Sequence, residues 1–188
     1  MPEGVHHYDE SSSMPEEIQK YSPIPRTFRL SNPTNQKPRY WHQRHQIWSL
    51  YDSDIWTTDS IWFGVTPEPV ANKIATHLAS SAPASKTILI DAFAGAGGNA
   101  ISFARSGRWK QIFAIEKDPA VIACGKHNAE VYGVQGKIWW IQGDCFEVLR
   151  KRLKSVAKEA VVFGSPPWGG EFLSFATVGW RRGESVEC

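Results

Sequence analysis

From Lys86 onward, short apolar runs alternate with segments whose apolar residues recur every three or four positions. The runs at 87–93, 111–116, 137–142 and 160–164 read as buried strands. Between them, 98–105, 119–132 and 144–156 carry the helical period, and Pro119 follows Asp118 as a first-turn proline follows its cap. Strands alternating with helices predict an α/β fold: an open, mostly parallel sheet with right-handed crossovers. Upstream, Thr66-Pro67-Glu68 has the order of a helix start, with a capping hydroxyl, a proline and an acid. Val70, Ile74 and Leu78 then line one face until the segment from Ser80 to Ser85 breaks it.

The stretch 39–63 has a different character. Tyr40, Trp41, Trp48, Tyr51, Trp56, Trp62 and Phe63 crowd together there with Arg39, His42, Arg44 and His45. Trp41, Ile47, Trp48 and Tyr51 fall at helical spacings, which predicts a short amphipathic helix. His42 and His45 share a face but have no third ligand nearby, so they read as surface residues and no metal is expected. Residues 1–38 are polar, proline-rich and aperiodic, the pattern of a flexible arm. The expected organisation is therefore that arm, an aromatic-rich helical lobe (39–85), an α/β core (86–170) and a tail (171–188).

Composition narrows the class only slightly. With 41% hydrophobic and 21% charged residues, the chain has an ordinary globular make-up. A net charge of +2 neither requires nor excludes a polyanionic partner. The three cysteines (Cys124, Cys145, Cys188) form no C-x-x-C pair, which fits a reducing compartment. No secretory signal or membrane-length apolar run is present, so a soluble protein of the nucleus or cytosol is expected, with no membrane contact.

Two motifs carry chemistry. Asp91-Ala92-Phe93-Ala94-Gly95-Ala96-Gly97-Gly98-Asn99 follows the first strand and opens a helix. Gly95 and Gly97 let the backbone turn tightly beside a ligand, and the helix start offers free N–H groups. The motif is not G-x-G-x-x-G. Asp91 would repel a pyrophosphate but suits the ammonium of a methionine moiety. Glu116 ends the second strand about twenty residues on, where an acid bonds ribose hydroxyls. Asp144, after the third strand, either accepts from an adenine amine or caps the next helix, and the sequence leaves both open. The second motif is Ser165-Pro166-Pro167-Trp168-Gly169-Gly170, past the fourth strand. The Ser165 hydroxyl and the Pro166 carbonyl can accept from an exocyclic amine, and Trp168 offers a face for a nucleobase.

Together with Tyr40-Trp41-His42-Gln43-Arg44, Val65-Thr66-Pro67-Glu68 and Asn128-Ala129-Glu130-Val131-Tyr132-Gly133, these motifs resemble the trimethylguanosine synthases, over about 39–170 and in the family's order. The resemblance implies a Rossmann-like methyltransferase sheet that uses S-adenosyl-L-methionine. It implies two successive methyl transfers to the N2 amine of the 7-methylguanosine cap of small nuclear and nucleolar RNAs. The family's cofactor residues fall on Thr66, Asp91, Gly95, Glu116 and Asp144, and Trp168 would stack on the cationic cap base. Ser165 and Pro166 would orient the amine for direct attack without a strong base. A monomer in the nucleus or nucleolus, with ribonucleoprotein partners, is the corresponding expectation.

The resemblance stops after Gly170. The family continues with Pro, one residue and Tyr, whereas this chain reads Glu171-Phe172-Leu173. Such sheets usually have seven strands and four are legible here, so the expectation is a truncated sheet, open on one side. The other reading is that 172–178 forms a short edge element. Two competing functions stand beside cap methylation: methylation of an adenine amine in RNA or DNA, and an inactive cofactor- or cap-binding fragment.

Overall fold

A computed structural model describes residues 42–58 and 61–166, except for the side chain of Phe63. Four strands form one parallel sheet: β1 (Ile88–Asp91), β2 (Gln111–Glu116), β3 (Ile138–Gln142) and β4 (Ala160–Phe163), in the order β3-β2-β1-β4. Register runs straight across, with Ile90 level with Phe113 and Val162, and Phe113 level with Trp139. All strand carboxyl ends therefore meet at one edge, where open α/β sheets bind ligands.

The helices are α1 (Arg44–Ile47), α2 (Glu68–Ser81), α3 (Gly98–Arg105), α4 (Pro119–Val131), α5 (Cys145–Lys151) and α6 (Lys154–Glu159). Strand residues alternate between two apolar clusters, as the pleat requires. Leu89, Ile112, Ala114 and Ile138 join Ala75 of α2, Phe103 of α3 and Cys124 of α4. Ile90, Ile115 and Ile141 face α5 and the turn after it, through Val148 and Leu153. The sheet is covered on both sides, which explains why its strands read as unbroken apolar runs.

The aromatic segment belongs to the first cluster. Ile47, Trp48, Tyr51 and Ile55 are buried with Ala100 and Ile101 of α3. Glu68 fastens this segment down: its carboxylate accepts from Ser49 N (2.7 Å), the Tyr132 hydroxyl (2.7 Å) and Arg105 Nη1 (2.6 Å). Burial alone would raise the Glu68 pKa, but these hydrogen bonds outweigh it and hold the group below its ordinary value.

Several elements differ from their sequence pattern. The helical spacing from Trp41 to Tyr51 becomes a four-residue α1 and a 3₁₀ turn at Tyr51–Ser53, closed by Asp54 at φ 69°. Trp41 lies outside the described residues. The helix expected over 144–156 is two, because the chain turns at Arg152–Leu153 to bury the Leu153 side chain. The cap of α2 is Pro67, not Thr66, whose hydroxyl is engaged elsewhere.

Candidate functional site

A cleft of about 600 Å³ opens at the carboxyl edge of the sheet, within the range of small-molecule sites. The ends of β1, β2 and β3 form its floor, the segment around Ile61–Thr66 one wall, and Ser165 its far side.

The glycine motif shapes the floor. Gly95 (φ 54°) and Gly97 (φ 95°) hold left-handed conformations that L side chains adopt only with strain. A Cβ on Gly97 would lie 3.2 Å from Ile101 and 3.3 Å from the Trp140 indole. Glu116 organises the loop from the next strand. Its Oε2 accepts from Gly95 N (3.1 Å), while Oε1 accepts from Lys117 N (2.7 Å) and Asp118 N (3.0 Å). The half-buried carboxylate lines the cleft and keeps lone pairs for a ligand's hydroxyls. Asp118 caps α4 by accepting from Ala120 N at 2.8 Å.

Asp144 takes up the capping reading and also borders the cleft. Its Oδ1 caps α5, accepting from Phe146 N (3.0 Å) and Glu147 N (3.1 Å), and the residue lines the cleft. Oδ2 has no partner among the described residues, so it can accept from a ligand amine as well. Beside it Phe146 stands 68% exposed at the rim.

Asp91 departs from the expected direct contact. It is wholly buried and sits behind the loop, so that Ala92 and Phe93 line the cleft in its place. Oδ1 accepts a long 3.4 Å bond from Phe93 N, and Oδ2 is buried without a partner. Burial pushes its carboxyl up to about 7, with the Glu116 charge adding to the effect and the Phe93 bond opposing it.

Thr66 lines the cleft, with Oγ1 accepting from Asn99 Nδ2 at 3.1 Å. That bond exposes a residue to which the sequence pattern gave no role. Asn99, in the first turn of α3, also lines the cleft, and its Oδ1 is buried without a partner. Asn99 Oδ1, in the cleft lining, is an orphaned acceptor that matches a cationic ammonium donor, and Asp91 Oδ2 is a second one behind the loop. A second unassigned residue is the buried Asn128. It accepts from Trp56 N (2.8 Å) and donates to Trp56 O (2.8 Å) and Ala96 O (3.1 Å), tying the aromatic segment to the glycine loop. Both asparagines stand in motifs that carry the resemblance, but the sequence assigned neither a role.

Ser165 lines the cleft just past β4, the strand next to β1, and Pro166 follows it. Trp168 lies outside the described residues. Cys145 also faces the cleft, but burial holds its thiol above the ordinary value, so it offers no nucleophile. Among the described residues, no cluster of three His, Cys, Asp or Glu could hold a metal ion.

The chain is 38% identical over 141 residues to the trimethylguanosine synthase of Schizosaccharomyces pombe, covering 74% of this chain and 57% of that protein. To the trimethylguanosine synthase of Saccharomyces cerevisiae it is 39% identical over 137 residues, 72% of this chain and 42% of that protein. The chain thus spans about half the length of the curated relatives it matches. A solved RNA methyltransferase from Salinibacter ruber, in complex with S-adenosyl-L-homocysteine, is similar at a TM-score of 0.39 and 24% identity, over 53% of this chain and 75% of that one. Residues 86–175 match the RNA cap guanine-N2 methyltransferase family.

Proposed function

We propose that the chain binds S-adenosyl-L-methionine in this cleft and methylates the N2 amine of a 7-methylguanosine RNA cap. The observation that carries the reading is the distribution of polar groups along the cleft. Glu116 and Asp144 stand at one end with lone pairs free for ribose hydroxyls and an adenine amine. Asn99, bonded to Thr66, leaves an orphaned acceptor for an ammonium elsewhere in the lining, and Asp91 leaves another behind the loop. Asp91 acts on that charge from behind the loop, across a low-dielectric layer in which a carboxylate is felt strongly. Phe146 covers the adenine from the rim.

The cofactor supplies a methyl group activated on a sulfonium. The protein's part is positioning. Ser165 Oγ and the Pro166 carbonyl accept from the N2 amine and hold its lone pair toward the cleft. Trp168, just beyond, stacks on the cationic base, a desolvated contact that can contribute about 2 kcal/mol. Phe93 and Ala92, the lining residues at the end of β1, exclude water without offering a base. Proton loss follows methylation and needs no strong base.

The substrates in this reading are capped small nuclear and nucleolar RNAs, in the nucleus, with the chain as a monomer beside ribonucleoprotein partners. Digestion of capped RNA after reaction with labelled cofactor tests it. Label in N2-methylated 7-methylguanosine supports cap methylation. Label in an adenine nucleoside overturns it in favour of the adenine reading. Cofactor binding with no labelled nucleoside makes the chain an inactive binding fragment.

A further inference from the structure

The face of the sheet opposite the aromatic segment carries a concentration of charge that the cleft does not use. Arg150, Lys151, Arg152, Lys154 and Lys158 fall within nine residues at the junction of α5 and α6, all exposed. Lys86 joins them by donating to Lys158 O at 2.5 Å. Against these six cations stand Glu147 and Glu159, an excess of four on a chain whose total is +2. Glu147 is already paired with Lys151 at 2.5 Å.

Helix electrostatics explain part of this. Arg150 and Lys151 end α5, where cations complement the helix dipole. Lys154 does not fit that account, because it opens α6, at a positive helix end that disfavours it. Lys154 has no partner among the described residues, and Arg150 has only the nearby charge of Glu147, which Lys151 already pairs. Folding alone therefore gives no reason for the Lys154 charge.

A second observation lies beside the first. Trp139, on the edge strand β3, is 58% exposed. Its register partner Phe113 packs into the cluster beneath α5, so the Trp139 indole lies on the same face as the cations. This face also adjoins the cleft. Arg152 Nη1 lies 3.4 Å from Gln142 O, next to Gly143 and Asp144 of the cleft lining. Exposed cations interleaved with an exposed aromatic ring, next to a nucleotide site, fit a single-stranded polynucleotide: phosphates on the cations, a base on the indole.

We propose that this face, from Trp139 across Arg152 and Arg150 to Lys154, docks the single-stranded RNA that follows the cap. The proposal rests on the capped-RNA reading of the cleft, and it adds a second contact region, distinct from the methyl-transfer site. It predicts that affinity for RNA and turnover of a cap nucleotide are separable.

The test uses a fluorescent, uncapped 20-nucleotide RNA and the full chain. Wild type should bind with a salt dependence to which each phosphate contact contributes a slope of about −0.7 in log K against log salt. In Arg150→Gln/Lys154→Gln the slope should fall by about 1.4, and affinity at 0.1 M salt should drop about 25-fold, roughly fivefold per lost contact. Trp139→Ala should weaken binding at least about fivefold with the slope unchanged, because stacking carries no charge. With 7-methyl-GTP as methyl acceptor, all three proteins should turn over alike, whereas KM for a capped 20-mer should rise in both variants.

Unchanged RNA affinity in the variants would overturn the docking face even if 7-methyl-GTP is methylated. So would loss of binding in the double variant with Trp139→Ala silent and polyglutamate competing as well as RNA, which would mark a generic anion or acidic-protein surface. Variant-dependent RNA binding without methylation of 7-methyl-GTP would leave the docking face standing and remove the reading of the cleft instead.

Discussion

Asp91 offers the sharpest quantitative test, because its carboxyl is wholly buried and titrates at about 7 instead of 3.8. A tenfold change in acidity corresponds to about 1.36 kcal/mol, so the ionised form costs the fold about 4 kcal/mol once fully charged. The sign follows from the raised value. The unfolded chain loses this proton near pH 4 and the folded chain near pH 7, so stability falls as pH rises through that window and levels off above it. Between pH 5 and 8 the wild type should lose about 2.7 kcal/mol through this group alone. For a chain of this size that is about 5–11 °C in Tm. Asp91→Asn removes the titration, so thermal melts at pH 5, 6, 7 and 8 should show the decline in wild type and a flatter profile in the variant. S-adenosylhomocysteine carries the same ammonium and should recover the loss: its stabilisation of wild type should grow from pH 5 to 8 and stay constant in Asp91→Asn. Parallel pH profiles for the two proteins, with and without ligand, would refute both the buried charge and its role toward the ammonium.

Other consequences follow from single contacts. A Cβ on Gly125 would sit 2.1 Å from the Trp140 indole, which also abuts Gly97. Gly125→Ala should therefore destabilise by about 1–2 kcal/mol by denaturant unfolding, overpacking outweighing the better helix propensity; Trp140→Leu in the same chain should recover most of it. Glu116→Ala frees three backbone donors, one of them in the glycine loop, and removes the proposed ribose acceptor, so calorimetry should show S-adenosylhomocysteine affinity at least about tenfold weaker. Glu68→Ala should cost about 2 kcal/mol, since its partner Arg105 is partly exposed and screened. The Glu68 pKa is lowered, so its contribution is present above the ordinary carboxylate value and lost as pH falls through the folded one; the Glu68→Ala deficit in urea unfolding should shrink toward pH 3. Ser165→Ala should lower kcat for cap methylation about tenfold and leave S-adenosylhomocysteine affinity unchanged.

Much of this was legible in the sequence because the core follows a simple period. Strands covered on both faces read as unbroken apolar runs, and β2, β3 and β4 lie within a residue of their expected bounds. β1 stops at Asp91, two residues early, since Ala92 and Phe93 already turn into the glycine loop. Where tertiary contacts competed with local signals, the local signals lost. Thr66 has the chemistry of a cap, but its hydroxyl is taken by Asn99 across the cleft. The Trp41–Tyr51 spacing marks the buried face correctly for Ile47, Trp48 and Tyr51, yet burial is reached through a broken chain rather than one helix. Asp144 shows why one carboxylate could not be assigned from sequence to a single role: its two oxygens can serve two. Asn99 and Asn128 stand in motifs that carry the resemblance but had no role assigned, because a buried amide is recognised by the partners it meets, and those lie 33 and 72 residues away.

The central claim is that this cleft joins an activated methyl group to the N2 amine of 7-methylguanine. Initial rates of methyl transfer from labelled S-adenosylmethionine to 7-methyl-GTP, measured beside unmethylated GTP, test it most directly. The account predicts labelling of the 7-methylated nucleotide at about thirty times the rate of GTP, because the cationic base alone gains the cation–π part of the stacking contact. Equal labelling of both, or none on 7-methyl-GTP while S-adenosylhomocysteine still binds, would contradict it.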